Sequence, residues 1–325
     1  MRLEGTRLGV PAIAVHGGAG EFAAVESDAE SDEHGEALKE ALRLAVSAGW
    51  VVLDSGGSSF DAVVEAVAAL EDSGRFNAGR GAVPTRDGGT EFDAGVMDAA
   101  SGAFGALCAA TYPANPIRAA RLLADLGGLP EGPVLLAGAG ADRFCESQGL
   151  EAMRREWLRG VPHADDAPPG ALPGRSVPKG LSRLSDEGTV GAVAVDAAGR
   201  VAAATSTGGR AGQWPGRVGD SPIPGAGLLA HPSGVAVSAT GAGETFLVSG
   251  FAHRIAWSLE AGMELGESVQ ASLEEVDRLG GTGGCIVITS SGEFTTGIST
   301  RAMARAWRGA NRSPTKACIL SLPPR

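Results

Sequence analysis

The sequence predicts an α+β fold with sheets inside and helices outside. Three observations predict it. Helical segments cluster between groups of strands instead of alternating with them, which argues against a doubly wound parallel sheet. Hairpins dominate the second half. Glycine accounts for 50 of the 325 residues, roughly twice the usual ~7% share. The glycines follow no three-residue period and fall between apolar runs such as Ile13–Val15. Collagen and a disordered linker are thereby excluded, leaving tight turns and close backbone approaches as their use.

Taken in order, Pro11–Val15 is an apolar run that suits a buried strand, and it ends at His16-Gly-Gly-Ala-Gly20. Leu38, Leu42, Ala45 and Trp50 recur at helical spacing, which predicts a helix over 36–53. Ser58 is a suitable N-cap for a second helix with Val63, Val64 and Val67 on one side. A glycine-rich loop follows over 70–81. Strands are expected at 92–98 and 103–110 around Ala100-Ser101-Gly102, and a helix from Asn115-Pro116 to about Leu126. Val134–Ala137 reads as a short strand leading into a helix that contains Phe144.

From 161 to 187 five prolines and little apolar periodicity indicate a linker. Beyond it, the runs 189–195 and 200–206 are strands joined by Asp196-Ala-Ala-Gly199, a hairpin signal. Another strand is expected at Val235–Ala239, helices at about 245–261 and 267–278, and a last hairpin at Cys285–Thr289 and Glu293–Ile298. No internal repeat is visible.

A net charge of −11 excludes a nucleic-acid role, since phosphate binding needs clustered Lys and Arg. Cys108, Cys145, Cys285 and Cys318 contain no C-x-x-C, and the five histidines lack metal-ligand spacing. No run of 18 apolar residues exists and no secretory signal opens the chain, so neither membrane insertion nor secretion is expected and a cytoplasmic location is. Val134 to Gly140 begins like a dinucleotide loop, but Arg143 stands where the third glycine belongs. Ser176-Val-Pro-Lys179 lies in the proline-rich stretch, and Asn311-Arg-Ser313 is a sequon without secretion; neither carries chemistry. The pairs Glu71/Asp72 and Asp165/Asp166 read as solvated loop charges.

Denser information lies between Gly188 and Gly243. After the Gly188-Thr189 junction come Thr205-Ser-Thr-Gly-Gly209, Gly216-Arg-Val-Gly-Asp-Ser-Pro222 and Thr240-Gly-Ala-Gly-Glu244, each at a strand end. One such turn is ordinary; three in order after a Gly-Thr junction are not. With His16 to Gly20, Phe76-Asn-Ala-Gly79-Arg-Gly81-Ala-Val83, Asp93 to Met97-Asp98 and Gly280-Gly-Thr-Gly-Gly284, they span residues 11–310. On these strings the chain resembles the plant-type (type III) L-asparaginases and isoaspartyl peptidases, which are N-terminal-nucleophile hydrolases.

The resemblance implies a four-layer αββα sandwich, a single domain over 1–325 that cuts itself into 1–188 and 189–325 with 161–187 as linker. It also implies a homodimer of cleaved protomers. It makes Thr189 the nucleophile. Thr189 would attack the Gly188 carbonyl, and hydrolysis of the ester would free its α-amino group. An α-amine titrates near ~8, so a useful fraction is neutral at pH 7 and can take the hydroxyl proton. That supplies the base a threonine needs.

By the same resemblance Thr207 hydrogen-bonds the nucleophile, and Arg217 and Asp220 clamp the substrate α-carboxylate and α-ammonium. Thr240 and Gly241 form the oxyanion hole, Gly243 admits the substrate backbone, and Asn77 lies near the cleavage site. The carbonyls of Leu70, Glu71, Ser73, Phe76, Ala78 and Arg80 would hold a structural sodium ion, with no cofactor needed for catalysis. The implied substrates are β-aspartyl dipeptides and L-asparagine. Two alternatives share the fold, a glycosylasparaginase and a non-catalytic protein. The Gly188-Thr189 junction disfavours the first, whose junction more often reads Asp-Thr, and the complete residue set disfavours the second. The chain departs from the family at Arg210-Ala-Gly-Gln-Trp214, where relatives carry a Met-Thr-Asn-Lys-like run, and at Pro224 and Leu228-Leu229. Both put the leaving-group preference in question.

Overall fold

The computed structural model describes residues 1–20, 29–127, 132–158, 188–310 and 314–321. The expected linker at 161–187 and the Ser176, Asp165/Asp166 and Asn311 motifs lie outside them.

Thirteen strands and seven α-helices are formed by these residues. They run β1 (Arg2–Arg7), β2 (Ala12–Gly20), α1 (Ala29–Asp54), α2 (Ser59–Ser73), β3 (Phe92–Asp98), β4 (Phe104–Ala110), α3 (Pro116–Leu126), β5 (Leu135–Ala137) and α4 (Gly138–Ser147). After the Gly-Thr junction follow β6 (Val190–Val195), β7 (Val201–Thr207), β8 (Leu228–His231), β9 (Val235–Gly241), α5 (Gly243–Ser249), α6 (Phe251–Glu260) and α7 (Leu265–Arg278). The chain closes with β10 (Gly283–Thr289), β11 (Glu293–Ile298), β12 (Ala302–Gly309) and β13 (Lys316–Ser321).

The strands build two sheets, β13-β12-β2-β6-β7-β3-β4-β5 and β1-β11-β10-β9-β8. Strand alternation sorts their side chains into three apolar layers. Ile13 and Val15 of β2 and Val190, Ala192 and Ala194 of β6 pack with Leu38, Leu42, Val63 and Val67 of α1 and α2. The opposite face, with Ala12, Ala14, Val193 and Val195, meets Leu228, Ala236, Ile286 and Ile288 of the smaller sheet. That sheet turns Val235, Val237, Cys285 and Val287 outward onto Phe251, Ile255, Val269 and Leu273 of α6 and α7. The order helix, sheet, sheet, helix is the expected four-layer αββα sandwich.

Several elements differ from the expectation. The span 245–261 is two helices, because Gly250 adopts φ 59° and breaks it. The expected loop at 70–81 begins inside α2, which runs to Ser73 before Gly74 ends it at φ 59°. Four strands carry no clear signal in the sequence. β1 is a polar edge strand, β8 has only four residues, and β12 and β13 follow what read as the last hairpin. On β12 the alternation is alanine against Met303, Arg305 and Trp307, and the buried Arg305 reads as polar. Glu71 is no solvated loop charge. It is buried and accepts hydrogen bonds from Ser206 Oγ at 2.6 Å, the Ile117 amide at 3.0 Å and Asn115 Nδ2 at 3.2 Å. It thereby ties α2 to β7 and to the start of α3.

Candidate active site

β6 and β7 are antiparallel neighbours in the middle of the larger sheet, so their opposite ends meet: Val190 pairs with Ser206. Thr189, one residue before β6, therefore lies beside Thr207 at the end of β7, and its Oγ1 donates a hydrogen bond to Thr207 Oγ1 at 3.0 Å. The Gly209 amide donates to the same Thr207 oxygen at 3.1 Å. Thr207 Oγ1 thus accepts two hydrogen bonds.

The facing sheet supplies Thr240 near the end of β9. Its Oγ1 is buried and without a hydrogen-bond partner among the described residues. Gly188 lies against it: a Cβ there would stand 3.1 Å from Thr240 Oγ1 and 3.2 Å from the Gly18 Cα. Thr189, Thr207 and Thr240 thus share one end of the inter-sheet space, with Gly241 following at the strand end. An unpaired buried hydroxyl beside a peptide carbon suits a developing oxyanion.

Arg217 and Asp220 sit on the loop after β7, and the loop is anchored by Asp93 at the start of β3. The Asp93 carboxylate accepts from the Gly219 amide at 3.0 Å and the Ala109 amide at 2.8 Å. Ala109 is the only non-glycine residue with positive φ among those described, at 46°, inside a β4 bulge. Arg217 donates through Nε to Glu244 Oε1 at 3.0 Å. Asp220 is buried, its Oδ2 has no partner among the described residues, and burial pushes its carboxyl up to about 7 although Arg217 pulls it down. Gly243 stands between these two charges: a Cβ there would be 2.8 Å from Asp220 Oδ1 and 2.9 Å from Arg217 Nη2. Arg217, Asp220 and Gly243, to which the resemblance gives the substrate clamp, are therefore brought together.

Asn77 spends its amide on structure, with Nδ2 donating to the Gly209 carbonyl at 2.7 Å and Oδ1 accepting from the Val83 amide at 3.1 Å. It fixes Gly209 and so stands one step behind Thr207. Leu70, Glu71 and Ser73, whose carbonyls are expected to hold sodium, lie in the last turn of α2, and Phe76, Ala78 and Arg80 follow it. Gly79 folds back on it, where a Cβ would stand 2.6 Å from Glu71 Cβ and 2.9 Å from its carbonyl oxygen. Neutral oxygens at the negative end of a helix fit a small hard cation.

The residues missed from sequence are those that hold others. Asp93 and Glu244 were visible as letters inside motifs, with nothing to show their partners. A third group lies behind Thr189, where His16 Nε2 and Ser238 Oγ are 2.8 Å apart and Ser238 Oγ and Thr205 Oγ1 are 3.0 Å apart. Burial pushes the His16 imidazole down to about 3, so it is neutral and no charged base. Only glycine fits at 191, since any Cβ there would overlap Ser238 Oγ.

The sequence also matches known proteins. The family described as asparaginase matches residues 9–317. An isoaspartyl peptidase of Escherichia coli is 38% identical over 315 residues, covering 95% of this chain and 96% of its own. A plant-type L-asparaginase of Pyrobaculum calidifontis is 39% identical over 306 residues, 91% of this chain and 96% of its own. An isoaspartyl peptidase/L-asparaginase of Xenopus laevis is 36% identical over 307 residues, 91% of each chain.

Proposed function

The chain belongs to the asparaginase family, and from that premise we propose that it is an N-terminal threonine hydrolase. It releases L-aspartate from β-aspartyl dipeptides and from L-asparagine. The observation that carries this reading is the Thr189 hydroxyl donating to Thr207 at 3.0 Å, one residue past Gly188, which lies against the unpaired Thr240 hydroxyl.

The first reaction is on the chain itself. Thr189 Oγ1 attacks the Gly188 carbonyl carbon, the peptide C–N bond breaks, and the resulting ester is hydrolysed to a Gly188 carboxylate and a free Thr189 amine. The amine then takes the Thr189 hydroxyl proton as the oxygen attacks the β-carbonyl of a bound substrate. The oxyanion forms at the Thr240 hydroxyl and the Gly241 amide, donors whose loss typically costs ~10²–10³ in rate. The leaving amine or ammonia departs with a proton, and water attacks the aspartyl ester to release L-aspartate and restore Thr189. Throughout, Arg217 holds the α-carboxylate, Asp220 the α-ammonium, and Gly243 leaves room for both.

A sodium ion held by the carbonyls of Leu70, Glu71, Ser73, Phe76, Ala78 and Arg80 would brace the loop that carries Asn77. The working form is a homodimer of cleaved protomers in the cytoplasm. No helix among the described residues is long and apolar enough to cross a membrane.

A paired assay of β-Asp-Leu and α-Asp-Leu tests the reading. An α-linked peptide has no free α-carboxylate for Arg217, and the unpaired guanidinium should give discrimination of ~10²-fold or more. Comparable turnover of the two isomers refutes the clamp. Turnover of neither, with aspartate released from a glycosylated asparagine, assigns a glycosylasparaginase instead.

A further inference from the structure

Asp93, the second residue of β3, connects the two halves of the site. Its main chain lies opposite Thr207 in the β3–β7 ladder, so the two side chains stand on the same face of the sheet. Thr207 accepts the hydrogen bond of Thr189. The Asp93 carboxylate reaches from that face to the clamp loop, where Oδ2 accepts from the Gly219 amide at 3.0 Å. Gly219 is also the residue against which the Arg217 guanidinium lies: a Cβ there would stand 2.9 Å from Nη1. Gly243 bounds Nη2, and Nε donates to Glu244. One side chain therefore runs from the neighbour of the nucleophile to the seat of the guanidinium.

The carboxylate is itself held. Its Oδ1 accepts from the Ala109 amide at 2.8 Å, and Ala109 adopts φ 46°, a conformation that costs a non-glycine residue energy. Asp93 is 3% exposed, so neither amide has water to turn to when the acid is removed. Glu91 makes a comparable bond, to the Gly216 amide at 2.8 Å, but Gly216 is exposed and water can take that place. Burial raises the Asp93 carboxyl to about 6 although Arg217 pulls it down. At pH 8 it is therefore an anion that the guanidinium feels.

We propose that Asp93 is a positioning residue for hydrolysis of β-aspartyl substrates, seating the Arg217 guanidinium, through Gly219, at a fixed reach from Thr189. The inference rests on the activity proposed above and adds to it the residue that sets the clamp. The charge of Asp93 and its seating role have opposite signs. A carboxylate near Arg217 competes with the α-carboxylate of the substrate, so removing the charge alone tightens the hold on an anion. Removing the seat weakens it.

The test compares the wild-type protein, Asp93→Asn and Gly219→Ala at pH 8. It measures KM and kcat on β-Asp-Leu, the affinity for L-aspartate by calorimetry, and the rate of self-cleavage. The carboxamide in Asp93→Asn keeps one acceptor and meets the other amide with a donor, so one of the two buried amides is orphaned. This variant should raise KM and weaken L-aspartate binding by about tenfold, with a much smaller fall in kcat. It should cut itself at the wild-type rate, because that step holds no free α-carboxylate. Gly219→Ala crowds Nη1 with Asp93 untouched and should show the same split between KM and kcat. In the double variant the two losses should fall short of additive, because both act on one link. Asp93→Asn binding L-aspartate as tightly as the wild-type protein, or more tightly, overturns the proposal. So does a loss of self-cleavage that matches the loss of affinity, the mark of a general structural role, and so do additive losses. If the wild-type protein neither hydrolyses β-Asp-Leu nor binds L-aspartate, the underlying activity falls, and this inference with it.

Discussion

Asp220 must be ionised to hold an ammonium, yet burial pushes its carboxyl up to about 7. A protonated acid offers no charge to pair. Affinity for L-aspartate, the product that satisfies the same clamp, should therefore rise with pH from about 6 and level off above 8 in the wild-type protein. Asp220→Asn should bind at least tenfold more weakly and lose the rise. Inhibition by L-aspartate that stays constant between pH 6 and 8 contradicts this placement. At this scale much of the site was legible. Thr189, Arg217 and Asp220 are recognisable because the family resemblance gives each of them a role within a consecutive motif string. Asp93 and Glu244 were not, because a carboxylate that steadies an amide 126 positions away leaves no local pattern.

Among the elements, Glu71 is the buried acid that joins α2 to both β7 and the start of α3. Burial pushes the Glu71 carboxyl up to about 8 from its ordinary 4.5, despite three hydrogen bonds that pull it down. The native state thus keeps a proton that the unfolded chain has lost. The associated stability is complete below about pH 4.5 and is lost as pH rises through about 8. The melting temperature should therefore fall from pH 5 to 8, and Glu71→Gln, which cannot ionise, should fall less steeply. An equal slope in the two proteins would rule out Glu71 as a source of the pH dependence. Asp93, pushed up to about 6 by burial, acts in the same sense and remains in both proteins. Elements with strong local signals, such as α2 with its Ser58 cap and the β10–β11 hairpin, were legible within a few residues. β1, β12 and β13 were not, since each is defined by the strand it pairs with: β1 with β11, and β12 with β2.

Across the whole molecule the junction at 188/189 divides a fabric, not a pair of lobes. In the larger sheet β6 and β7, which follow the junction, lie between β2 and β3, which precede it. β12 and β13 close the other side of β2, and in the smaller sheet β1 is the only strand from before the junction, paired along six residues with β11. The inter-sheet layer likewise joins Ala12 and Ala14 to Val193, Ile286 and Met303. A cut at Gly188 therefore severs one peptide bond and leaves every ladder intact. The wild-type protein should give two bands in denaturant, corresponding to 1–188 and 189–325, the second with the N-terminal sequence Thr-Val-Gly. In native buffer the two pieces should elute as one species. Their separation requires breaking the β2–β6, β3–β7 and β12–β2 pairings together, which amounts to global unfolding. Thr189→Ala should show one band under both conditions and have no activity, with a melting temperature close to that of the cleaved protein, because the layers on either side of the junction are unchanged. Fragments that part on native gel filtration would contradict the interleaving, and an intact chain with full activity would remove self-cleavage from the mechanism.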